Sequence, residues 1–171
     1  MTPEFSRTIA VDAIGTAPRS EVIEASADER AALARRFGLK ALDRLTAEAV
    51  LIAGANAIEA RGRLHARVIQ GCVVSGEPVP ATLDTRFELR FVAPSAFDVA
   101  AEEVELSDSD CDVVAHDGNS LDLGEAVAQT LALALDPFPR ASKDDGAEAQ
   151  RWSFGADASP FAGLKALLDR P

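Results

Sequence analysis

The sequence of 171 residues predicts an α+β fold, in which an antiparallel β-sheet that could close into a barrel carries two principal helices and a short C-terminal helix. Two observations favour this class. Residues 42–91 form three strand-like segments joined by short connections with Gly or Pro. Two motifs typical of helix starts introduce amphipathic runs elsewhere. We expect a single domain over residues 1–139, followed by a polar linker and C-terminal segment, residues 140–171, that could dock on it.

The N-terminal part of the chain is predicted to contain two strands and a helix. The stretch EFSRTIAV alternates larger residues with smaller or polar ones, which is typical of a strand, and SEVIEAS follows the breaker Pro18 as a second strand. Ser26 and Glu29 have the spacing of a capping box, which begins the helix ADERAALARRF. Gly38 is placed to end that helix.

Three further strands are predicted to form an antiparallel meander. Their sequences are LDRLTAEAVLIAG, NAIEARGRLHARVIQG and ATLDTRFELRFVAP. Successive side chains of a strand point to opposite faces. In the last segment the apolar residues therefore share one face, namely Leu83, Phe87, Leu89 and Phe91. We expect this face of the sheet to pack on a core and the other face to contact water.

The second half of the chain is predicted to hold short strands and two helices. EEVEL and CDVVAH are the strand candidates. Asp122 and Glu125 form a second capping box, which begins the helix LGEAVAQTLALAL. Apolar residues recur every four positions along that helix, at Leu123, Val127, Leu131 and Leu135. The predicted C-terminal helix has helical spacing of Phe161, Leu164 and Leu168.

The negative charge is concentrated in one part of the sequence. Residues 91–139 contain 11 Asp and Glu and no Lys or Arg, which equals the net charge of −11 for the whole chain. The acidic lobe, residues 98–125 of this stretch, is either a solvated, solubilising surface or a binding surface for a basic partner. The candidate partner-binding residues are Glu102, Glu103, Glu105, Asp108, Asp110 and Asp112.

Positive charges line one side of the predicted middle strand. In EARGRLHARVI, the side chains of Arg61, Arg63, His65 and Arg67 occupy alternate positions and so share a face. Arg86 and Arg90 lie on the polar face of the next strand. A row of guanidiniums can bind phosphates or carboxylates. It can equally be a solvated face that pairs across strands with acids such as Glu59 and Glu88, and the sequence leaves both interpretations open.

Several function classes find no support in the sequence. No apolar run is long enough to span a membrane, and the N-terminus lacks the apolar region of a secretory signal, so we expect a cytoplasmic protein. The two cysteines, Cys72 and Cys111, lack the paired spacing of a zinc site, and we expect inert thiols and no bound metal. No phosphate-binding loop or hydrolase motif occurs, so we expect no enzyme and no cofactor.

The stretch CVVSGEPV resembles a motif of the YceD family, which is named for large ribosomal RNA subunit accumulation. The similarity extends from about residue 39 to the C-terminus and includes FELRFV, the acidic segment, LDLGEAVAQTLALALDPFPR and PFAGLKALL. Many members carry two cysteines here, as C-x-R-C followed by L-E-P-V. This chain keeps Cys72, Glu77 and Pro78, whereas Ser75 replaces the second cysteine. The capped stretch ADERAALARRFGL resembles the alphaproteobacterial branch.

The resemblance implies a non-enzymatic factor for the synthesis, processing or stability of large-subunit (23S) ribosomal RNA. Our first hypothesis is that the protein contacts RNA directly, through Arg61, Arg63, Arg67, Arg86 and Arg90. The alternative is an adaptor or assembly factor whose acidic lobe engages a basic ribosomal protein or an RNA-processing component.

Overall fold

The computed structural model describes residues 3–93 and 112–141. In these residues the elements follow one another as β1 Thr8–Ala10, a 3-10 helix Val11–Ala13, β2 Arg19–Glu24, α1 Ala27–Arg36, β3 Ala41–Ala53, β4 Ile58–Gly71, β5 Pro78–Val92, β6 Asp112–Ala115, β7 Ser120–Asp122 and α2 Leu123–Ala134. The α+β class is confirmed. The predicted strand EEVEL and the predicted C-terminal helix lie outside the described residues.

The chain divides into two compact units, Met1–Gln70 with Pro80–Pro137 and Gly71–Val79 with Phe138–Pro171. The larger unit contains both helices and most of each long strand. The described part of the smaller unit comprises the connection between β4 and β5 and the residues that follow α2. The domain boundary expected between residues 139 and 140 stays a prediction.

The main sheet has five strands in the order β2-β3-β4-β5-β6, and β1 pairs with β7 in a separate two-stranded sheet. Strands β3 and β4 are antiparallel neighbours, and β5 lies next to β4, in the order predicted for the meander. Strand β2, which was not part of that prediction, also pairs antiparallel with β3. Strand β6, however, runs parallel to β5, so the expectation of a purely antiparallel sheet is wrong. Residues 93–111, which connect these two strands, are long enough for the crossover that a parallel pair needs.

The five-stranded sheet does not close into a barrel in the part of the chain that the structure describes, because its edge strands, β2 and β6, do not pair with each other. Closure would require the first strand to pair with the last. The barrel-like form of the predicted sheet is therefore not found.

Both helices begin at the residues that their sequences predict. In α1, the Ser26 side chain accepts from the Glu29 N–H, and the Glu29 carboxylate accepts from the Ser26 N–H, so both halves of the capping box are present. In α2, Asp122 accepts from the Glu125 N–H. The Glu125 carboxylate instead binds the Arg36 guanidinium, with distances of 2.7 and 2.8 Å, and this contact joins the two helices.

One hydrophobic core unites the inner face of the sheet with the helices. Alternate residues of β3, β4 and β5 are buried, as are the apolar stripe of α2 and Leu33 of α1. Gly62 of β4 lies on this inner face, where a Cβ would come within 2.6 Å of Phe87 Cζ. The Phe87 ring thus occupies the space that a side chain at residue 62 would need. The opposite side of the sheet, formed by the residues of β2–β5 that alternate with those facing the core, is called the outer face below.

Candidate nucleic-acid interface

The predicted arginine row lies on the outer face. Arg61, Arg63 and Arg67 are exposed on β4, and His65 is half-buried among them. On β5, Arg86 is exposed and Arg90 is half-buried, and both alternate with buried apolar residues. Since β4 and β5 are hydrogen-bonded neighbours, the six side chains belong to one continuous surface.

Acidic residues neutralise the middle of this row. The Arg61 Nε lies 2.5 Å from Glu88 Oε1, and its guanidinium also approaches Glu59 at 3.4 Å. Arg63 and His65 both contact the carboxylate of Asp84. Arg61 contacts Glu88, whereas Arg63, farther along β4, contacts the earlier β5 residue Asp84. The two strands therefore run antiparallel. The cross-strand pairing that the sequence left open is present for Arg61 and Arg63.

A β-bulge adds an arginine that the sequence pattern missed. The β3–β4 register shifts between Leu42 and Arg44, so that Asp43 is the extra residue. After this shift Arg44 is exposed and lies directly opposite Arg67. The sequence contains a signal for it, because the two consecutive polar residues Asp43 and Arg44 interrupt the alternation between Leu42 and Leu45.

Four arginines of the outer face make no ion pair within the described parts of the chain: Arg44, Arg67, Arg86 and Arg90. Three of them were predicted and Arg44 was not. Because Arg44 and Arg67 occupy paired positions, their Cβ atoms are expected to lie about 5 Å apart. Two guanidiniums carried at paired positions can contact the same anion.

The cysteine motif forms a turn in the smaller unit. The Cys72 N–H donates to the Glu77 carbonyl and the Gly76 N–H donates to the Cys72 carbonyl, both at 2.8 Å. Gly76 has a φ of +73°, a left-handed conformation that favours glycine. Pro78 then begins β5. The prediction of a strand-to-strand connection is confirmed. Cys72 is buried, and its Sγ accepts from the Ala141 N–H at 3.5 Å.

The candidate acidic residues are described only in part. Asp112 is exposed at the start of β6, whereas Glu102, Glu103, Glu105, Asp108 and Asp110 lie outside the described residues. Asp117, farther along the acidic stretch, accepts from the Asn119 and Ser120 N–H groups and so closes the turn before β7. These hydrogen bonds, with the one from Ser120 foremost, lower the pKa of Asp117.

The largest pKa shifts belong to ion pairs away from the arginine row. The hydrogen bonds from Arg7 lower the pKa of Glu29 to about 2. The hydrogen bonds from Arg36 likewise lower the pKa of Glu125. Each pair joins different elements, since Arg7 precedes β1 and Arg36 ends α1. Both pairs are best explained as structural contacts rather than as tuned catalytic groups.

Residues 3–93 and 112–141 contain no cluster of three His, Cys, Asp or Glu side chains that could hold a metal ion. The helices found in those residues are too short or too polar to cross a bilayer.

Comparison with known proteins gives the family of the chain. A family model described as "Large ribosomal RNA subunit accumulation protein YceD" matches residues 60–168. The match begins in β4 and includes the remaining described strands, the cysteine-bearing turn and α2. No curated protein and no solved structure matches the chain. Because the matched residues make up more than half of the sequence, this chain belongs to the YceD family of large ribosomal RNA subunit accumulation proteins.

Proposed function

We propose that this protein supports the accumulation of large-subunit (23S) ribosomal RNA by binding RNA directly through its outer face. The description of the family supports the role in accumulation. The observation that carries the RNA contact is the Arg44–Arg67 pair, which stands at opposing positions without a carboxylate partner in the described residues. We propose no catalytic step, so that the protein acts by binding alone.

Electrostatics favours Arg44 and Arg67 as the centre of the contact. Like charges directly opposite one another destabilise a sheet, and a bound phosphate would relieve their repulsion. Arg61 and Arg63 each have a carboxylate beside the guanidinium Nε, that of Glu88 or Asp84, which offsets their positive charge. We therefore assign the main phosphate contacts to Arg44 and Arg67, with Arg86 and Arg90 extending the surface along β5.

The net charge of −11 limits the kind of RNA binding that is possible. A polyanion is repelled by the molecule as a whole, and only a local patch can attract it. Affinity should then depend on a few phosphates, and the salt dependence should be shallow compared with that of a basic RNA-binding protein. Such a contact suits a factor that recognises RNA held in a defined shape.

Replacing Arg44 and Arg67 together by alanine tests the proposal. Large-subunit ribosomal RNA transcribed in vitro is titrated with the full chain at several salt concentrations. Each lost phosphate contact makes the negative slope of log K against log salt shallower by about 0.7–0.9. We expect the double variant to lose affinity and about 1.5 units of slope.

Two matched double variants serve as controls. Arg61→Ala with Arg63→Ala removes the ion-paired arginines of the same face, and we expect a smaller loss of affinity. Arg30→Ala with Arg35→Ala removes two charges of α1, which packs on the core side of the sheet, and should change binding least. Equal losses in all three variants would show that only the overall charge matters and would refute the assigned site.

The alternative function is a protein-binding adaptor that uses the acidic lobe, residues 98–125. The charge segregation of residues 91–139 supports it, and the exposed Asp112 belongs to that lobe. A basic ribosomal protein or RNA-processing component would be the partner. Purification of the protein from a lysate treated with nuclease distinguishes the two, because RNA-dependent partners are lost and directly bound proteins remain.

A further inference from the structure

A groove lies between the free edges of two strands in the larger unit. One wall is the segment Ser6–Ala10, which includes β1, and the other is β2, Arg19–Glu24. The groove has a volume of ≈ 570 Å³. Within the described residues β1 pairs only with β7, and β2 pairs only with β3. Each strand therefore presents one unpaired edge, and both edges border the same groove, called the β1–β2 groove below.

The hydrogen-bond pattern shows which backbone groups of β2 point into the groove. In an antiparallel pair, alternate residues bond to the partner strand and the residues between them point away. The Ala25 N–H donates to the Leu45 carbonyl at 3.0 Å, just beyond the end of β2. Ile23, two residues before Ala25, therefore also directs its N–H and C=O groups towards β3. The N–H and C=O groups of its neighbour Val22 point away from β3.

The same reasoning applies to β1. The Leu123 N–H donates to the Arg7 carbonyl at 3.0 Å, and the Val11 N–H donates to the Asn119 carbonyl at 2.9 Å. Odd-numbered residues therefore bond towards β7. The N–H and C=O groups of Thr8 and Ala10 point in the opposite direction, towards the groove.

Two arginines hold the walls of the groove in place. The Arg7 guanidinium donates to the Glu24 carbonyl at 2.9 Å, and Arg19 donates to the Ala13 carbonyl at 3.1 Å. Each guanidinium is in turn fixed by a carboxylate, that of Glu29 or Glu21. The walls are therefore tied at both ends, whereas the backbone groups between the ties have no partner in the described residues.

We propose that the β1–β2 groove binds an extended, basic segment of a partner protein, which adds as a strand between β1 and β2. Unpaired N–H and C=O groups on both walls are the elements that strand addition uses. Val22, which is 72% exposed, would contact an apolar side chain of the segment. Glu24 and Glu48, which make no ion pair in the described residues, lie beside Val22 and would bind Lys or Arg.

The groove is lined by β1 and β2, whereas Arg44 and Arg67, the proposed phosphate contacts, lie on β3 and β4. Glu48 shares the outer face with these arginines and lies opposite Arg63, so the independent tests are RNA titration of the Arg44 and Arg67 variants and peptide titration of the Val22 variants. Either proposal can fail while the other stands.

The test uses the full chain and a synthetic eight-residue peptide in which Lys and Val alternate. Binding is measured by fluorescence anisotropy, and the backbone amides are followed by NMR hydrogen exchange. We expect saturable binding with new protection at the amides of Thr8, Ala10 and Val22. A second peptide of the same sequence, N-methylated at alternate amides, keeps the charges but loses half of the backbone donors and should bind at least about tenfold more weakly.

Protein variants separate backbone pairing from charge. Val22→Pro removes an N–H that points into the groove and leaves the bonds to β3 intact, since proline is tolerated at such edge positions. We expect at least about tenfold weaker binding, whereas Val22→Ala, which keeps the N–H, should lose less. Glu24→Lys with Glu48→Lys should weaken binding about tenfold at low salt, with a smaller effect at high salt.

Three results would overturn the proposal. The first is equal binding of the normal and N-methylated peptides, a result that does not depend on how the Val22→Pro variant folds. The second is protection of the groove amides in the protein without peptide, which would mean that its own chain fills the groove. The third is a dimer in light scattering that Val22→Pro dissociates, which would make a second copy the occupant.

Discussion

At the scale of single residues, Arg7 connects three parts of the larger unit. Its guanidinium binds both carboxylate oxygens of Glu29, at 2.7 and 3.0 Å, and also donates to the carbonyls of Ser6 and Glu24. Glu29 simultaneously accepts from the Ser26 N–H in the capping box. One ion pair therefore fixes the start of α1, the end of β2 and the chain entering β1.

Replacing Glu29 by Gln should make the stability of the protein less dependent on pH. The hydrogen bonds from Arg7 hold the pKa of Glu29 at about 2, below its ordinary value of 4.5. The charged pair thus stabilises the folded state fully above pH 4.5, and this contribution is lost as the pH falls towards 2. Because both side chains reach solvent, we expect Glu29→Gln to cost only about 1 kcal/mol at pH 7.

Urea unfolding at a series of pH values measures this effect. Gln can still accept from the Ser26 N–H, so the substitution removes the charge and keeps the cap. Asp28→Asn, in the same helical turn, is the matched control, and its effect on stability should be a few tenths of a kcal/mol. A Glu29→Gln penalty that stays constant from pH 7 to pH 3 would contradict the assignment.

At the scale of elements, the contact between β4 and β5 depends on a glycine. A Cβ on Gly62 would lie 2.6 Å from Phe87 Cζ and would also collide with the backbone of β3, at Glu48 and Ala49. Backbone atoms of a central strand cannot move aside as a flexible side chain can. The residue is therefore required by packing, although its φ does not lie in the left-handed region.

Gly62→Ala should destabilise the protein by about 2 kcal/mol or more, the cost of overpacking a core. Gly15→Ala is the matched control, because its Cβ would have no neighbour closer than 3.9 Å. We expect that variant to lie within about 0.5 kcal/mol of the parent protein. Chemical denaturation of both variants measures the difference. A Gly62→Ala variant as stable as the control would show that the sheet can shift to accept the methyl group.

The elements also show which parts of this fold a sequence can predict. Helix starts were predictable because a capping box is local chemistry, complete within four residues at Ser26 and Glu29. The long strands were predictable because alternation sets which side chains are buried. The parallel pairing of β6 was not, because its register with β5 depends on residues distant in the chain. The bulge at Asp43 hid Arg44 for a related reason, since one inserted residue reverses the alternation.

The candidate site was predictable only in part. Alternation placed Arg61, Arg63 and Arg67 on one face, but their partners depend on the β4–β5 register, which no local pattern contains. In the structure Arg61 and Arg63 form ion pairs with acidic residues of β5, whereas Arg67 lies opposite Arg44.

At the scale of the whole molecule, RNA binding must overcome an unfavourable charge. The net charge is −11, and two of the carboxylates, Asp84 and Glu88, lie on the proposed RNA-binding face itself. They hold Arg61 and Arg63 in ion pairs and repel phosphates at short range. Residues that lower affinity in this way make binding more selective, because only RNA that reaches the remaining arginines is held.

Asp84→Asn combined with Glu88→Gln should therefore strengthen RNA binding. The change releases Arg61 and Arg63 for phosphates, and we expect affinity to rise about 3–10-fold at low salt and the salt slope to steepen by about 1.5 units. Exposed ion pairs contribute little to stability, so the fold should be retained. Asp12→Asn with Asp28→Asn alters the net charge by the same two units away from the outer face, and its affinity should change by less than about twofold. Equal gains in the two variants, measured by the same titration, would mean that RNA responds to the total charge and not to the outer face.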